Sequence, residues 1–315
     1  MPEIINNDDT LFGRVVTAMV TPFDEKGESI DYGSLEKLVE HLIANATETI
    51  LVAGTTGESP TLTGDEKIAL LKKVIEISAG RAKVIFGAGS NNTKSSVESA
   101  KAARDAGAEG LLIVAPYYNK PNQEGIFAHV KAVADTVDLP ILVYNIPGRC
   151  GINIEPATMV RLARECPGVK AIKDSAGNVD QTAQLASLFS NSGSKSDSDF
   201  RIYSGDDYLT LQMLSVGACG VVSVASHLVG KQLKELIDAA MDGDLDRARG
   251  LHYRYLPLFK GLFVEPNPTC LKYILSRMGI CSAGLRLPLV PLSQERKKEM
   301  DSLMEASGLL SGSSI

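Results

Sequence analysis

The stretch KVIFGAGSNNTKSSVESAKAARDAGAEGLLIVAP (83–116) decides the fold. It opens on a short apolar run, KVIFGAG (83–89), and closes on another, GLLIVAP (110–116). Between them, TKSSVESAKAARDAG (93–107) repeats its apolar and small residues at steps of three and four. It ends on Gly107, where a helix terminus favours glycine. The flanking runs are continuous rather than alternating, the pattern of parallel strands covered on both faces. The stretch therefore reads as strand, crossover helix, strand.

The same unit recurs in both directions. Upstream lie VVTAMV (15–20), the amphipathic DYGSLEKLVEHLIANA (31–46), TILVAG (49–54), and GDEKIALLKKVIEISAG (64–80) with Gly80 at its end. Downstream lie PILVYN (140–145), VKAIKD (169–174), FRIYSG (200–205), CGVVSVAS (219–226) and then KQLKELIDAAMDG (231–243). Eight strand–helix units over about 230 residues match the usual size of a (β/α)8 barrel. A doubly wound open sheet seldom needs eight such units, and no G-x-G-x-x-G marks the first strand–helix turn. The expected fold is α/β: a (β/α)8 TIM barrel over 11–243 with a C-terminal helical extension over 244–308. Residues 1–10 and 309–315 read as poorly ordered tails, and NSGSKSDS (191–198) as a polar loop before the seventh strand.

Composition narrows the function classes. The chain has 315 residues, 44% hydrophobic and 22% charged, so a large core is within reach without disulfides or metals. Its formal net charge is −6, and no Lys/Arg run suggests a phosphate-binding face, which argues against a nucleic-acid partner. No stretch approaches the roughly 18 uninterrupted apolar residues of a membrane span. The start, MPEIINNDDT, is polar and acidic, unlike a signal or transit peptide. Cys150, Cys166, Cys219, Cys270 and Cys281 are odd in number and form no C-x-x-C pair, so free thiols in a reducing cytoplasm are expected. His41, His129, His227 and His252 are scattered without ligand spacing, and no metal is expected.

In a barrel of this kind, chemistry collects at the C-terminal ends of the strands. The polar residues there are Thr55, Thr56, Glu58, Tyr117, Tyr118, Tyr144, Asn145, Arg149, Lys173, Asp174, Ser204, Asp206, Asp207 and Ser226. Lys173 is the most informative. It alone among the lysines ends a strand, and in AIKDS alternation puts it on the face of Ala171. If that face points inward, desolvation favours the neutral amine, a nucleophile for a carbonyl. A strand-end lysine paired in solvent with Asp174 or Asp206 is the plainer alternative. Tyr144, one strand away, is a phenol suited to proton transfer, and GTTGE (54–58) offers hydroxyls and backbone N–H groups to a carboxylate. Arg149 suits a second carboxylate, or is simply a surface arginine on a loop. The turns SGDD and ASHL lack the paired glycines of a barrel phosphate site.

The strings GRVVTAMVTPF (13–23), GTTGESPTL (54–62), APYYNKPNQEG (115–125), YNIPGRCGINI (144–154), KAIKDSAGN (170–178), YSGDD (203–207) and FVEPNPTCLKYIL (263–275) resemble, in order and spacing, the dihydrodipicolinate synthase branch of the N-acetylneuraminate lyase superfamily. The resemblance runs from residue 13 to roughly residue 290. It implies a barrel that condenses pyruvate with L-aspartate-4-semialdehyde to 4-hydroxy-tetrahydrodipicolinate, on the way to diaminopimelate and lysine. It implies no cofactor beyond a covalent imine between Lys173 and pyruvate. Thr55, Tyr144 and Tyr118 match a hydroxyl relay, with the tyrosine matching Tyr118 usually supplied by a neighbouring subunit. Thr56 matches the position that holds pyruvate's carboxylate, Arg149 the one for the semialdehyde's, and Gly205 and Val222 match backbone positions lining the pocket.

A homotetramer built from tight dimers is likewise implied. Arg149 separates this branch from the sialic-acid and keto-deoxy-sugar lyases, which resemble the chain at Lys173 and Tyr144. Those retro-aldol lyases and a catalytically silent barrel used for binding are the alternatives. Many members bind inhibitory lysine between subunits, and Ser59, Pro60, Asn91 and Tyr117 match that site. Gly64, Lys67 and Ser95 depart from it where sensitive members carry histidines and a glutamate. Weak or absent feedback inhibition is the expectation.

Overall fold

The structure is a computed structural model that describes residues 10–190 and 199–309; the expectations for 1–9, 191–198 and 310–315 lie outside the described residues. Eight strands follow one another around a closed barrel: β1 Val15–Ala18, β2 Thr49–Val52, β3 Lys83–Gly87, β4 Leu111–Val114, β5 Ile141–Asn145, β6 Val169–Asp174, β7 Arg201–Ser204 and β8 Gly220–Ser223. The expected α/β barrel is the observed one. Its strands are almost wholly buried, as continuous apolar runs between a barrel interior and covering helices must be. Most strands are shorter than their apolar runs, because runs such as KVIFGAG continue into the turn that leaves the strand.

Contacts group the described residues into two compact units: Ile85–Ser223 with the residues up to Val16, and Thr17–Val84 with Val224 onward. In the first unit, β4, β5, β6 and β7 pair in parallel with Val114 beside Tyr144, Tyr144 beside Lys173 and Lys173 beside Tyr203. That alignment depends on an irregularity. Ile141 pairs with Val169, but Leu142 pairs with Ala171, so Lys170 is an extra residue in β6. With an unbroken register Tyr144 would face Ile172; the bulge moves Lys173 level with it.

In the second unit, helix α1 (Tyr32–Ala44) is capped by Asp31, whose carboxylate accepts from the Ser34 N–H. Helix α2 (Gly64–Ser78) starts with a reciprocal pair, Thr63 and Glu66, each side chain bonding the other's backbone N–H. Its end differs from expectation: Ala79, with φ 47°, enters the left-handed region one residue before Gly80. The helix after β8 also differs. It runs Ser226–Met241, beginning five residues before the stretch expected, and kinks at Val229. The segment SHLVG is buried throughout and so shows no amphipathic period, and ASHL, expected as the turn after the strand, opens the helix instead. Among the described residues three further helices follow, Leu245–Gly261, Thr269–Arg277 and Gln294–Ala306. All five cysteines are buried free thiols, each pushed above the ordinary thiol range by burial. They are core residues rather than nucleophiles.

Candidate active site

Lys173 lies at the C-terminal end of β6 and is only 5% exposed. Its Nζ sits 4.1 Å from the centroid of the Tyr144 ring. Tyr144 is itself buried, as is Tyr203 on the other flank. Among the described residues the Lys173 ammonium makes no salt bridge or hydrogen bond. Asp174 is committed elsewhere: it accepts from the Ala176 N–H at 3.0 Å, the Thr182 hydroxyl at 3.0 Å and the Asn145 amide at 3.4 Å. Thus the solvent-exposed pairing weighed above is not what the fold presents.

The turn after β7 presses on the same side chain. A Cβ at position 205 would meet the Ser175 hydroxyl and come within 3.1 Å of Lys173 Cγ and Cε, so any side chain there would have to push both aside. Asp206 follows, its carboxyl pushed up to about 6 by burial, against the opposing pull of Lys173. Asp207 is fully buried and accepts a short hydrogen bond from the Ser223 hydroxyl. Val222, in β8, is also fully buried. By contrast, Tyr118 is 88% exposed, with φ 73°, on the loop after β4, and Tyr117 is exposed beside it. Arg149 is exposed on the short helix Pro147–Cys150.

The second unit carries the GTTGE turn. Thr56 is buried, Thr55 half-buried, and the Asn267 amide donates to Thr56 Oγ1 at 2.9 Å. Two residues on, Glu58 has φ 53° and is buried. One of its oxygens lies 2.5 Å from Lys272 Nζ; the other accepts from the Arg286 N–H at 3.1 Å. Lys272 also donates to the Gly284 carbonyl and stands 4.1 Å from the Phe23 ring. Arg286 pairs in turn with Glu66, whose carboxyl it holds down at about 2. Asn267 and Lys272 were not singled out from sequence. Their only signal was the EPNPTCLK string, and Thr56 is 211 residues from Asn267.

Of the residues matched to a lysine site, Ser59 and Pro60 form a 3-10 turn after Glu58, while Asn91 accepts from the Asn119 amide at 2.8 Å through its carbonyl. Gly64 and Ser95 are exposed, and Lys67 is partly buried. Among the described residues there is no cluster of metal-ligating side chains, and no helix is long and apolar enough to cross a membrane.

A (β/α)8 barrel that buries an amine at the end of its sixth strand, beside a phenol, has the outline of the barrel lyases that work through a lysine. The dihydrodipicolinate synthetase family matches residues 11–307, and the chain belongs to that family. It is 47% identical over 289 residues to 4-hydroxy-tetrahydrodipicolinate synthase 1 of Halalkalibacterium halodurans, covering 92% of this chain and 95% of that protein. To the 4-hydroxy-tetrahydrodipicolinate synthase of Heliobacterium modesticaldum it is 48% identical over 298 residues, covering 95% of this chain and 96% of the other. Among solved structures it resembles the dihydrodipicolinate synthase of Cyanidioschyzon merolae with lysine bound, with a TM-score of 0.91, 44% identity, and coverage of 96% of this chain and 100% of that one. It also resembles a monomeric dihydrodipicolinate synthase variant, with a TM-score of 0.90, 41% identity, and coverage of 95% and 98%.

Proposed function

We propose that the chain is a Schiff-base lyase that condenses pyruvate with L-aspartate-4-semialdehyde to give 4-hydroxy-tetrahydrodipicolinate. The observation that carries this reading is the buried, unbonded Lys173 amine facing Tyr144, in a chain of this family. Held in the barrel end with no bonded partner, the amine is free to add to a carbonyl.

Lys173 adds to C2 of pyruvate, water leaves, and an imine forms. Loss of a methyl proton gives an enamine, with Tyr144, Thr55 and Tyr118 passing protons. The enamine carbon attacks the aldehyde of the semialdehyde, whose carboxylate Arg149 holds, while Thr56 holds the carboxylate derived from pyruvate. Gly205 and Val222 line the pocket. The product's amino group then attacks the imine carbon, closes the ring and releases Lys173. No step calls on a metal or an organic cofactor.

The exposure of Tyr118 supports a place for it in a neighbouring subunit's site, and so a homotetramer of tight dimers. The monomeric relative makes this a question for each member. The barrel over 11–243, the extension over 244–308 and a cytoplasmic location belong to the same reading. Feedback by lysine is proposed to be weak, since Lys67 adds a cation and Ser95 removes an acid where lysine's ammonium would bind.

Borohydride reduction in the presence of pyruvate, followed by peptide mapping, tests the reading. The expected result is a single modified peptide carrying Lys173, with turnover of the semialdehyde and none of sialic acid or 2-keto-3-deoxy sugar acids. Labelling of another peptide, or turnover of the sugar acids alone, overturns it.

A further inference from the structure

Asn267 is 7% exposed, and its amide nitrogen donates to the Thr56 hydroxyl at 2.9 Å. Its carbonyl oxygen, Oδ1, is buried without a hydrogen-bond partner. A buried acceptor left unpaired costs about 1–3 kcal/mol, so this amide is a poor choice for the fold alone. The surrounding geometry nonetheless holds it firmly. Lys272, five residues after Asn267, is locked to Glu58, two residues after Thr56. The turn and the start of helix Thr269–Arg277 are thereby joined at two points, one ionic and one through Asn267 and Thr56.

We propose that Asn267 is a positioning residue that orients the Thr56 hydroxyl toward the carboxylate of pyruvate. A hydroxyl has one proton and two lone pairs. When the Asn267 N–H occupies a lone pair, the Thr56 proton is left to donate, and an anionic carboxylate is the strongest acceptor it can meet. The amide thus fixes the direction of a donor without touching substrate itself. This rests on the assignment of Thr56 and Lys173 above and deepens it.

The test compares pyruvate dependence of imine trapping and turnover in wild type, Asn267→Ala, Asn267→Asp, Thr56→Val and the Thr56→Val/Asn267→Ala double variant. Asn267→Ala should raise KM for pyruvate about tenfold, the scale of a hydrogen bond to a charged group. KM for the semialdehyde and the melting midpoint should stay unchanged, and the effect should vanish in the Thr56→Val background. Asn267→Asp offers only acceptors when ionised and turns the Thr56 proton away from substrate. It should therefore be worse than Asn267→Ala at pH 8 and converge on it as the pH falls and the new carboxyl protonates. A KM effect that persists without the Thr56 hydroxyl, a joint loss in both substrates and in the midpoint, or an Asp variant equal to the Ala variant at every pH overturns the proposal. Wild type that fails to trap pyruvate on Lys173 overturns the lyase reading itself, a separate outcome.

Discussion

Among the described residues, two buried lysines stand 4.1 Å from the centre of an aromatic ring, Lys173 against Tyr144 and Lys272 against Phe23. Their other neighbours differ completely. Lys272 is fully buried, pairs with Glu58, and donates to the Gly284 carbonyl. Burial pushes its pKa down while Glu58 opposes the shift, so the pair settles as an ion pair within the fold. Lys173 has the ring and the packed wall of Gly205, but no bonded carboxylate. The contrast teaches that burial alone does not define a lysine's part: one is spent on a bonded carboxylate and a carbonyl, the other keeps its amine unspent beside a phenol.

The comparison can be broken most directly at Lys173. Lys173→Ala should abolish borohydride trapping and lower turnover by about 10³-fold or more, with a melting midpoint at or above wild type. A drop in stability like that of a paired lysine would erase the distinction. At the other lysine, Lys272→Met leaves Glu58 buried and uncompensated, which should cost about 3–5 kcal/mol in denaturant unfolding. Pairing it with Glu58→Gln should restore most of that loss. If the single variant unfolds like wild type, the ion pair is ornamental.

Asp206 sharpens the contrast through pH. Its carboxyl is raised to about 6, above its ordinary 3.8, so the folded protein binds an extra proton between those values. Stability from this group is full below about 3.8 and is lost as the pH rises through about 6. Asp206→Asn should therefore gain roughly 2–3 kcal/mol on wild type at pH 8 and nothing at pH 3.5, read from denaturant midpoints. A gain that is independent of pH would assign Asp206 a different role. The smallest effect is expected at Gly205. Gly205→Ala should displace the Lys173 stem and slow imine formation by about 10–100-fold in stopped-flow trapping, while leaving unfolding of the Lys272 cluster untouched.

The barrel was legible because eight buried strands leave eight continuous apolar runs, and VKAIKD coincides with β6 to the residue. What periodicity missed lies where apolarity stops discriminating. SHLVG is buried as a kinked helix start where ASHL reads as a turn, and the extra residue at Lys170 that aligns Lys173 with Tyr144 leaves no mark in the pattern. Lys173 stood out because it ended a strand. Asn267 and Lys272 did not, because each is defined by a partner more than 200 positions away, Thr56 for one and Glu58 for the other. Long-range pairing of single polar residues has no period.

The joint between the Thr56–Glu58 turn and the start of helix Thr269–Arg277 also bears on how such a chain can be re-engineered. Grafting a foreign tail after the eighth strand would strand a carboxylate in the interior and unhook a hydroxyl from its amide. The C-terminal helices are thus no interchangeable cassette, and a swap between relatives would have to carry both halves of each handshake together.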